Sequence, residues 1–140
     1  MYLEREFMLD LKNICFIRAG KKILDNVDLC LNDNKFIVIT GPNGSGKTNI
    51  AKIIMGIEKQ DNGQVLFNEQ DISCDSIDKR ANLGISFAFQ QPVKFKGITV
   101  YDLLKLSAGK EISRKDACDI LSKVGLCAKE YVDREVNSSL

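Results

Sequence analysis

The residues with the clearest chemical capability in this chain form one octapeptide. It reads Gly41-Pro42-Asn43-Gly44-Ser45-Gly46-Lys47-Thr48 and fits G-x-x-x-x-G-K-[ST], the pattern of a phosphate-binding loop. Its three glycines let the backbone curl with successive N–H groups pointing inward, where they can surround an anion. Lys47 adds a positive charge for the β- and γ-phosphates, and the Thr48 hydroxyl suits Mg²⁺. The octapeptide as a whole therefore predicts a binding site for a nucleotide phosphate.

A loop of this kind works between a strand and a helix, and the flanking sequence supplies both. Residues 36–40 are apolar and β-branched, which predicts a buried strand. Residues 49–57 predict a helix that ends near Gly56. Its isoleucines recur at helical spacing on one face, which we expect to pack on a sheet: Ile50, Ile53, Ile54 and Ile57.

The rest of the chain divides into a part rich in strands and a helical part. Two strands precede residue 36, with turns between and after them, and two more follow the loop helix; we predict these four at 8–17, 23–31, 64–67 and 84–89. We predict helices at 76–82, 99–108 and 113–125, then a short helix or loop at 126–136. Ser113 and Asp116 stand three residues apart, as in a helix capping box.

Composition narrows the possible functions. The 140 residues suit one domain, and 20 Lys and Arg against 19 Asp and Glu give a net charge of +1. That balance argues against a nucleic-acid partner. The five cysteines lack metal-site spacing and the chain has no histidine, so we expect free thiols in a reducing cytoplasm, with Cys15, Cys30 and Cys118 buried. No apolar run approaches the length of a membrane span, and the N-terminus does not resemble a signal peptide.

Taken together, these features resemble the N-terminal half of an ABC-type ATPase. Antiparallel strands precede the loop, the loop reads GPNGSGKT, and a later strand ends in Phe89-Gln90-Gln91-Pro92. The resemblance implies an α/β fold: a P-loop NTPase core, an N-terminal antiparallel β-subdomain and the beginning of a helical subdomain. It assigns residues 1–89 to the nucleotide-binding core, 90–98 to the Q-loop and 99–140 to the helical subdomain.

The resemblance also implies which residues act. Lys47 and Gln90 would be the catalytic pair, Thr48 and Gln90 the Mg²⁺ ligands, and ATP with Mg²⁺ the bound molecules. Gln91 is the alternative to Gln90. The family's Walker B Asp, signature sequence and switch His have no counterpart before Leu140, so the resemblance implies a truncated domain whose parent hydrolyses ATP while the 140 residues themselves are inactive.

Two positions depart from the family pattern. An aromatic residue usually stacks on adenine where this chain has Arg18, with Phe16 and Ile17 nearby. A planar guanidinium can stack on a base, or Arg18 can be an ordinary exposed charge. A second hydroxyl residue usually follows the loop threonine; here Asn49 stands there and could still donate to an α-phosphate.

The subgroup stays open between two functions. Residues 97–104 resemble importer ATPases, which implies a cytoplasmic ATP-binding subunit held at the membrane by a permease. Residues 88–93, with Gly97 shortly after them and Arg80-Ala81 before them, resemble the soluble Suf-type ATPase of iron–sulfur cluster assembly, which implies scaffold proteins as partners. Either resemblance implies a homodimer of the full-length parent. In both, the surface from Gln90 to Leu106, including Val93 and Phe95, is expected to receive the partner.

Overall fold

A computed structural model describes residues 8–32, 35–91 and 93–136 of the chain. These residues form two compact units, the first ending at Ala88 and the second beginning at Phe89. Pro92, which follows the predicted strand at 84–89, most of the turn predicted after the second strand (32–34), and residues 137–140 lie outside the described residues.

The first unit is built on a four-stranded antiparallel sheet in the order β2-β1-β3-β4. The strands are β1 Met8–Arg18, β2 Lys21–Asn32, β3 Asn62–Phe67 and β4 Gln70–Asp71. The antiparallel pair predicted ahead of the loop is confirmed. Strand β4 was not among the predicted strands; Asn68 and Glu69 both take positive φ (51° and 66°) and reverse the chain in two residues, so that Gln70 and Asp71 pair with β3.

Two helices accompany this sheet, α1 Lys47–Met55 and α2 Ile77–Asn82. Helix α1 begins two residues earlier than predicted and ends, as predicted, at Gly56, whose φ of 80° is the left-handed conformation of a helix C-cap. Ile50 and Ile53 of α1 pack in the core of the unit. The other members of that core come from the sheet strands and the residue after β4: Leu11, Ile14, Phe16, Leu24, Val65 and Ile72.

Two predicted strands are absent from the structure. Residues 36–40 and 84–89 have no regular secondary structure, although both are apolar. The side chain of Phe36 is 95% exposed and that of Val38 is 65% exposed. An apolar run becomes a strand only where a neighbouring strand takes its backbone N–H and C=O groups. Among the residues that the structure describes, neither segment pairs with a strand.

The second unit is helical. It contains α3 Val100–Ala108, α4 Arg114–Lys123 and α5 Ala128–Tyr131, close to the predicted bounds. Thr99 with Asp102 and Ser113 with Asp116 form complete capping boxes at α3 and α4. A small core joins the end of the α3–α4 loop, α4 and the residue after α5: Ile112, Ala117, Leu121 and Val132.

The cysteines partly follow expectation. All five are free thiols, and Cys15 and Cys118 are partly buried, but Cys30 is exposed, contrary to prediction. The side chains of β2 alternate between the two faces of the sheet, and Cys30 shares the open face with Asp28. No helix among the described residues is long and apolar enough to cross a membrane.

Candidate phosphate-binding site

The 41–48 loop has the backbone conformation that its glycines allow. Gly41, Gly44 and Gly46 adopt φ values of 147°, 81° and 90°, which L side chains rarely take. A β-carbon at Gly41 would lie 3.2 Å from the Ser45 hydroxyl oxygen, which is a close contact for real β-carbons. Ser45 N–H donates to the Pro42 carbonyl at 3.3 Å and closes the turn. The loop is thus a tight turn immediately before α1, and its glycines leave few side chains inside it.

Lys47 folds back over this curve. Its ammonium donates to the Gly41 carbonyl at 2.7 Å and the Pro42 carbonyl at 2.5 Å, and lies 3.4 Å from the Ser45 hydroxyl. These acceptors are neutral, whereas a phosphate oxygen is charged and forms the stronger hydrogen bond with an ammonium. Lys47, the only charged side chain of the octapeptide, therefore lies where its ammonium could exchange these carbonyl acceptors for the oxygens of an anion bound in the loop.

The N-terminus of α1 adds a second attraction for anions. Gly46 is the N-cap, no side chain caps the helix, and its first turn holds no acidic residue. The first N–H groups of a helix lack partners within the helix and form the positive end of its dipole. Together with Lys47 they make this end of α1 suited to a phosphate group.

The loop is anchored to the sheet through Gly46. A β-carbon there would lie 2.6 Å from the Leu24 side chain and 3.2 Å from that of Ile23. Leu24 of β2 stands opposite Phe16 of β1 in the sheet register. The 41–48 loop and the end of the β1–β2 hairpin are therefore linked by direct packing.

Arg18 lies at that hairpin end and stacks on Phe16. Its guanidinium carbon is 3.8 Å from the centroid of the Phe16 ring. The guanidinium also donates to the Ile17 carbonyl at 2.7 Å and lies 3.7 Å from the Asp61 carboxylate. The Arg18 side chain remains half exposed, although the ring beneath it is fully buried. A guanidinium held flat in this way, with an accessible side, is a surface on which a planar base could stack.

Asn49 has a different neighbour from the one expected. Its side-chain amide donates to Glu58 at 3.2 Å, and the same carboxylate accepts from Lys52 at 3.2 Å. This network ties the middle of α1 to the residues after it. A contact between Asn49 and an α-phosphate stays a prediction, and it would require the amide to leave Glu58.

The residues present fit Mg²⁺ in a limited way. Thr48 is exposed at the start of α1, where its hydroxyl can serve as one oxygen ligand. No cluster of three or more acidic, Cys or His side chains suited to a metal occurs among the described residues. Mg²⁺ in nucleotide sites keeps several waters and takes its other ligands from phosphates, so one hydroxyl is a usable contribution.

Gln90 and Gln91 lie in the second unit, both exposed, just after its first residue. Lys47, Thr48 and Arg18 lie in the first unit. The assignment of Gln90 as a catalytic residue and Mg²⁺ ligand therefore stays a prediction from the sequence.

Arg80, noted in the sequence only for its resemblance to the Suf-type group, has the largest of the fully buried side chains among the described residues. Its guanidinium donates to carbonyl oxygens of α1. A single arginine in a short polar helix is ordinarily exposed, so residue type and spacing offered no signal for this contact.

The comparison with known proteins agrees with this geometry. The family model described as ABC transporter matches residues 24–140. An uncharacterized ABC transporter ATP-binding protein of Methanocaldococcus jannaschii is 34% identical over 95% of this chain. A probable ATP-dependent transporter of Antithamnion sp. is 32% identical over 98% of it. The chain spans only 56% of the length of each of these two relatives.

Among solved structures, the chain is similar to an ATP-binding cassette described as a dimer in a post-hydrolysis state bound to ADP and Pi. The match has a TM-score of 0.77 and 25% identity, and it covers 91% of this chain and 61% of that one.

Proposed function

This chain belongs to the ABC transporter family, and we propose that it binds MgATP through the 41–48 loop as part of a transporter's ATP-binding subunit. The observation that carries the proposal is the position of Lys47 above a glycine loop at an uncapped helix N-terminus. In phosphoryl transfer the protein mainly positions groups and stabilises charge. In the complete protein, Lys47, with Gln90 in the role that the family resemblance gives it, would serve hydrolysis of the bound ATP.

The contribution of Lys47 can be measured directly by calorimetric titration with MgADP and MgATP. Hydrogen bonds to charged groups are worth about 1.5–3 kcal/mol, so we expect Lys47→Ala to weaken nucleotide binding by roughly 10- to 100-fold. Lys123→Ala is the matched control, since it removes the same charge from the exposed surface of α4. Equal affinities of the wild type and Lys47→Ala would contradict the proposal.

Mg²⁺ would be held by Thr48 and by the phosphates, as it is an oxygen-seeking cation that neutralises phosphate charge. Thr48→Ala should reduce the gain in nucleotide affinity that Mg²⁺ produces, whereas Thr48→Ser should retain it because the hydroxyl is kept. Titrations with and without Mg²⁺ separate this effect from binding to the loop itself. A Mg²⁺ gain that survives Thr48→Ala unchanged would remove Thr48 from the metal site.

Arg18 is proposed as the surface on which adenine stacks. Its guanidinium is held by Phe16, the Ile17 carbonyl and Asp61, and this support keeps the plane from rotating freely. Arg18→Ala should therefore weaken ADP binding several-fold, while Arg18→Tyr should restore it because a planar ring replaces a planar cation. Inorganic triphosphate is the control ligand, since its affinity should respond to Lys47→Ala and not to Arg18→Tyr.

A partner would dock on the surface from Gln90 to Leu106. Val93, Phe95 and Leu106 are apolar and exposed there. We expect Phe95→Asp in the complete protein to weaken co-purification with a membrane permease and leave nucleotide affinity unchanged. Ile120→Asp on α4 is the control, since Ile120 is about as exposed as Phe95. Loss of the partner with both variants, or with neither, would place the docking surface elsewhere.

The alternative function, in iron–sulfur cluster assembly, is supported by the sequence resemblance of residues 88–93, Gly97 and the pair Arg80-Ala81. Both relatives described above are named as transporter proteins. The neighbouring genes distinguish the two functions at little cost: permease genes favour transport, while genes for scaffold proteins and a cysteine desulfurase favour assembly.

A further inference from the structure

A buried charge lies in the same unit as the phosphate loop, outside the loop itself. The side chain of Arg80 in α2 is only 2% exposed. Its guanidinium donates to four carbonyl oxygens: those of Ile53 at 2.7 Å, Ile54 at 2.8 Å, Ser73 at 3.1 Å and Asp75 at 3.1 Å. An unpaired buried charge is costly, so a guanidinium in this setting must be held by specific acceptors.

Two of these acceptors form the C-terminal end of α1. The last carbonyls of a helix lack N–H partners within it and carry the negative end of the helix dipole, which favours a cation. Gly56 leaves room for the guanidinium, because a β-carbon there would lie 3.0 Å from Arg80 Nε. Burial lowers the pKa of Arg80 from its ordinary high value, yet an arginine remains charged. The side chain thus fastens α2 to the far end of the phosphate-binding helix.

The backbone of the same residue holds the next part of the chain. The Arg80 carbonyl accepts the N–H of Leu83 at 3.2 Å and that of Ile85 at 3.1 Å. Ile85 belongs to the irregular segment 84–88, which leads along the sequence to Gln90. Arg80 is therefore bonded to α1 through its side chain and to the segment 84–88 through its main chain.

We propose that Arg80 is a positioning residue that transmits occupancy of the phosphate loop, through α1, to the segment 84–88. Helix α1 carries Lys47 and Thr48 in its first turn and the Arg80 acceptors in its last. A shift of this one rigid element on binding a phosphate would move both ends together. The inference rests on the proposed nucleotide binding. It adds a set of contacts through which nucleotide binding at the loop would change the segment 84–88, just before Gln90.

Hydrogen exchange of the wild-type chain with and without MgADP tests the proposal without any substitution. The Ile85 amide reports on the transmitted effect, and the Ile72 amide, which donates to the Val65 carbonyl in the same unit, reports on general stabilisation by the ligand. We expect MgADP to slow exchange at Ile85 by at least about threefold more than at Ile72. Calorimetry on the same sample shows whether the nucleotide binds.

Variants then assign the effect to Arg80. Arg80→Met removes every donor and keeps the length of the side chain, Arg80→Lys keeps the charge with fewer donors, and Lys79→Met is the control on the exposed side of α2. We expect the selective slowing at Ile85 to be lost in Arg80→Met, reduced in Arg80→Lys and unchanged in Lys79→Met, with nucleotide affinity retained in all three. If Arg80→Met does not fold, Arg80→Lys and the wild-type comparison decide.

The outcomes separate the two proposals. Absence of MgADP binding to the wild type contradicts the proposed function, and the transmission proposal falls with it. Binding with equal slowing at Ile85 and Ile72 overturns the transmission proposal alone. Selective slowing that persists in Arg80→Met and Arg80→Lys shows that the route does not pass through Arg80, which also overturns it.

Discussion

The two units of this chain differ in the size of their cores and in the share of local contacts. In the unit that ends at Ala88, Phe16 and Leu24 from the sheet pack in one core with Ile53 from α1, and these residues are far apart in the sequence. In the unit that begins at Phe89, the buried core has four members, and capping boxes that join residues three positions apart accompany distant backbone hydrogen bonds such as that from Phe95 to Val136. The 41–48 loop packs against the first unit's sheet at Leu24, so its shape depends on a distant strand.

The largest difference in unfolding free energy between the two units should appear when one core residue of each is truncated to alanine. Phe16 is fully buried beneath Arg18, and large-to-small changes of buried Phe cost about 3–5 kcal/mol, so Phe16→Ala should destabilise the first unit strongly. Leu121→Ala in the smaller core of the second unit should cost about 2 kcal/mol, near the lower end of the range for buried Leu→Ala changes, because the surroundings of a small core can collapse more easily. Denaturant unfolding monitored residue by residue through hydrogen exchange assigns each loss of stability to its unit. A greater loss for Leu121→Ala would reverse the comparison.

A smaller effect should separate two glycines within the loop. Gly46→Ala places a methyl group against Leu24 and also forces an unfavourable positive φ, so we expect about 2–4 kcal/mol from overpacking and backbone strain together. Gly44 also has positive φ, but a β-carbon there meets nothing within 4 Å, so Gly44→Ala should cost only about 1–2 kcal/mol from strain. Thermal unfolding of both variants measures the difference. Equal losses would mean that the sheet does not constrain the loop through Gly46.

The same contrast explains how much of the molecule could be predicted from its sequence. The 41–48 loop, the C-cap at Gly56 and the capping box at Ser113 were predictable because each depends on residue types within a few positions. The strands predicted at 36–40 and 84–89 were wrong, because pairing depends on a neighbour that a local pattern cannot supply.

The site shows the same division. Lys47 and its loop could be proposed from the sequence, since the predicted chemistry depends on the residue types of one octapeptide. It could not identify that Asn49 donates to Glu58, or that Arg80 reaches the end of α1, because both contacts exist only after folding. The stack of Arg18 on Phe16 lies between these cases: Arg18 stands at the position predicted for base stacking, but its contact with the Phe16 ring could be seen only in the folded strand.

Helix capping in the second unit should give a modest and local effect. The Ser113 hydroxyl accepts the Asp116 backbone N–H at 3.1 Å, and loss of such a cap costs typically about 1 kcal/mol. Ser113→Ala should therefore lower the helix signal in circular dichroism and the stability of α4, and Thr99→Ala should do the same at α3. Ser122→Ala, on the last turn of α4, is the control because it removes a hydroxyl without touching a cap. An equal loss in the control would show that capping is not the cause.

The smallest expected effect is a dependence of α4 on acid pH. The hydrogen bonds from the Ser113 side chain and backbone lower the pKa of Asp116 from its ordinary value. A carboxyl group that binds its proton more weakly when folded stabilises the fold above its unfolded pKa, about 4, and this contribution is lost as the pH falls through the folded value. Helix content and hydrogen-exchange protection of α4 should accordingly decline on acidification below about pH 4. Asp116→Asn should remove that part of the decline, because an amide does not titrate, while Asp119→Asn on the same helix should leave it in place. A decline of equal size in Asp116→Asn would show that other carboxyl groups determine the acid sensitivity of this helix.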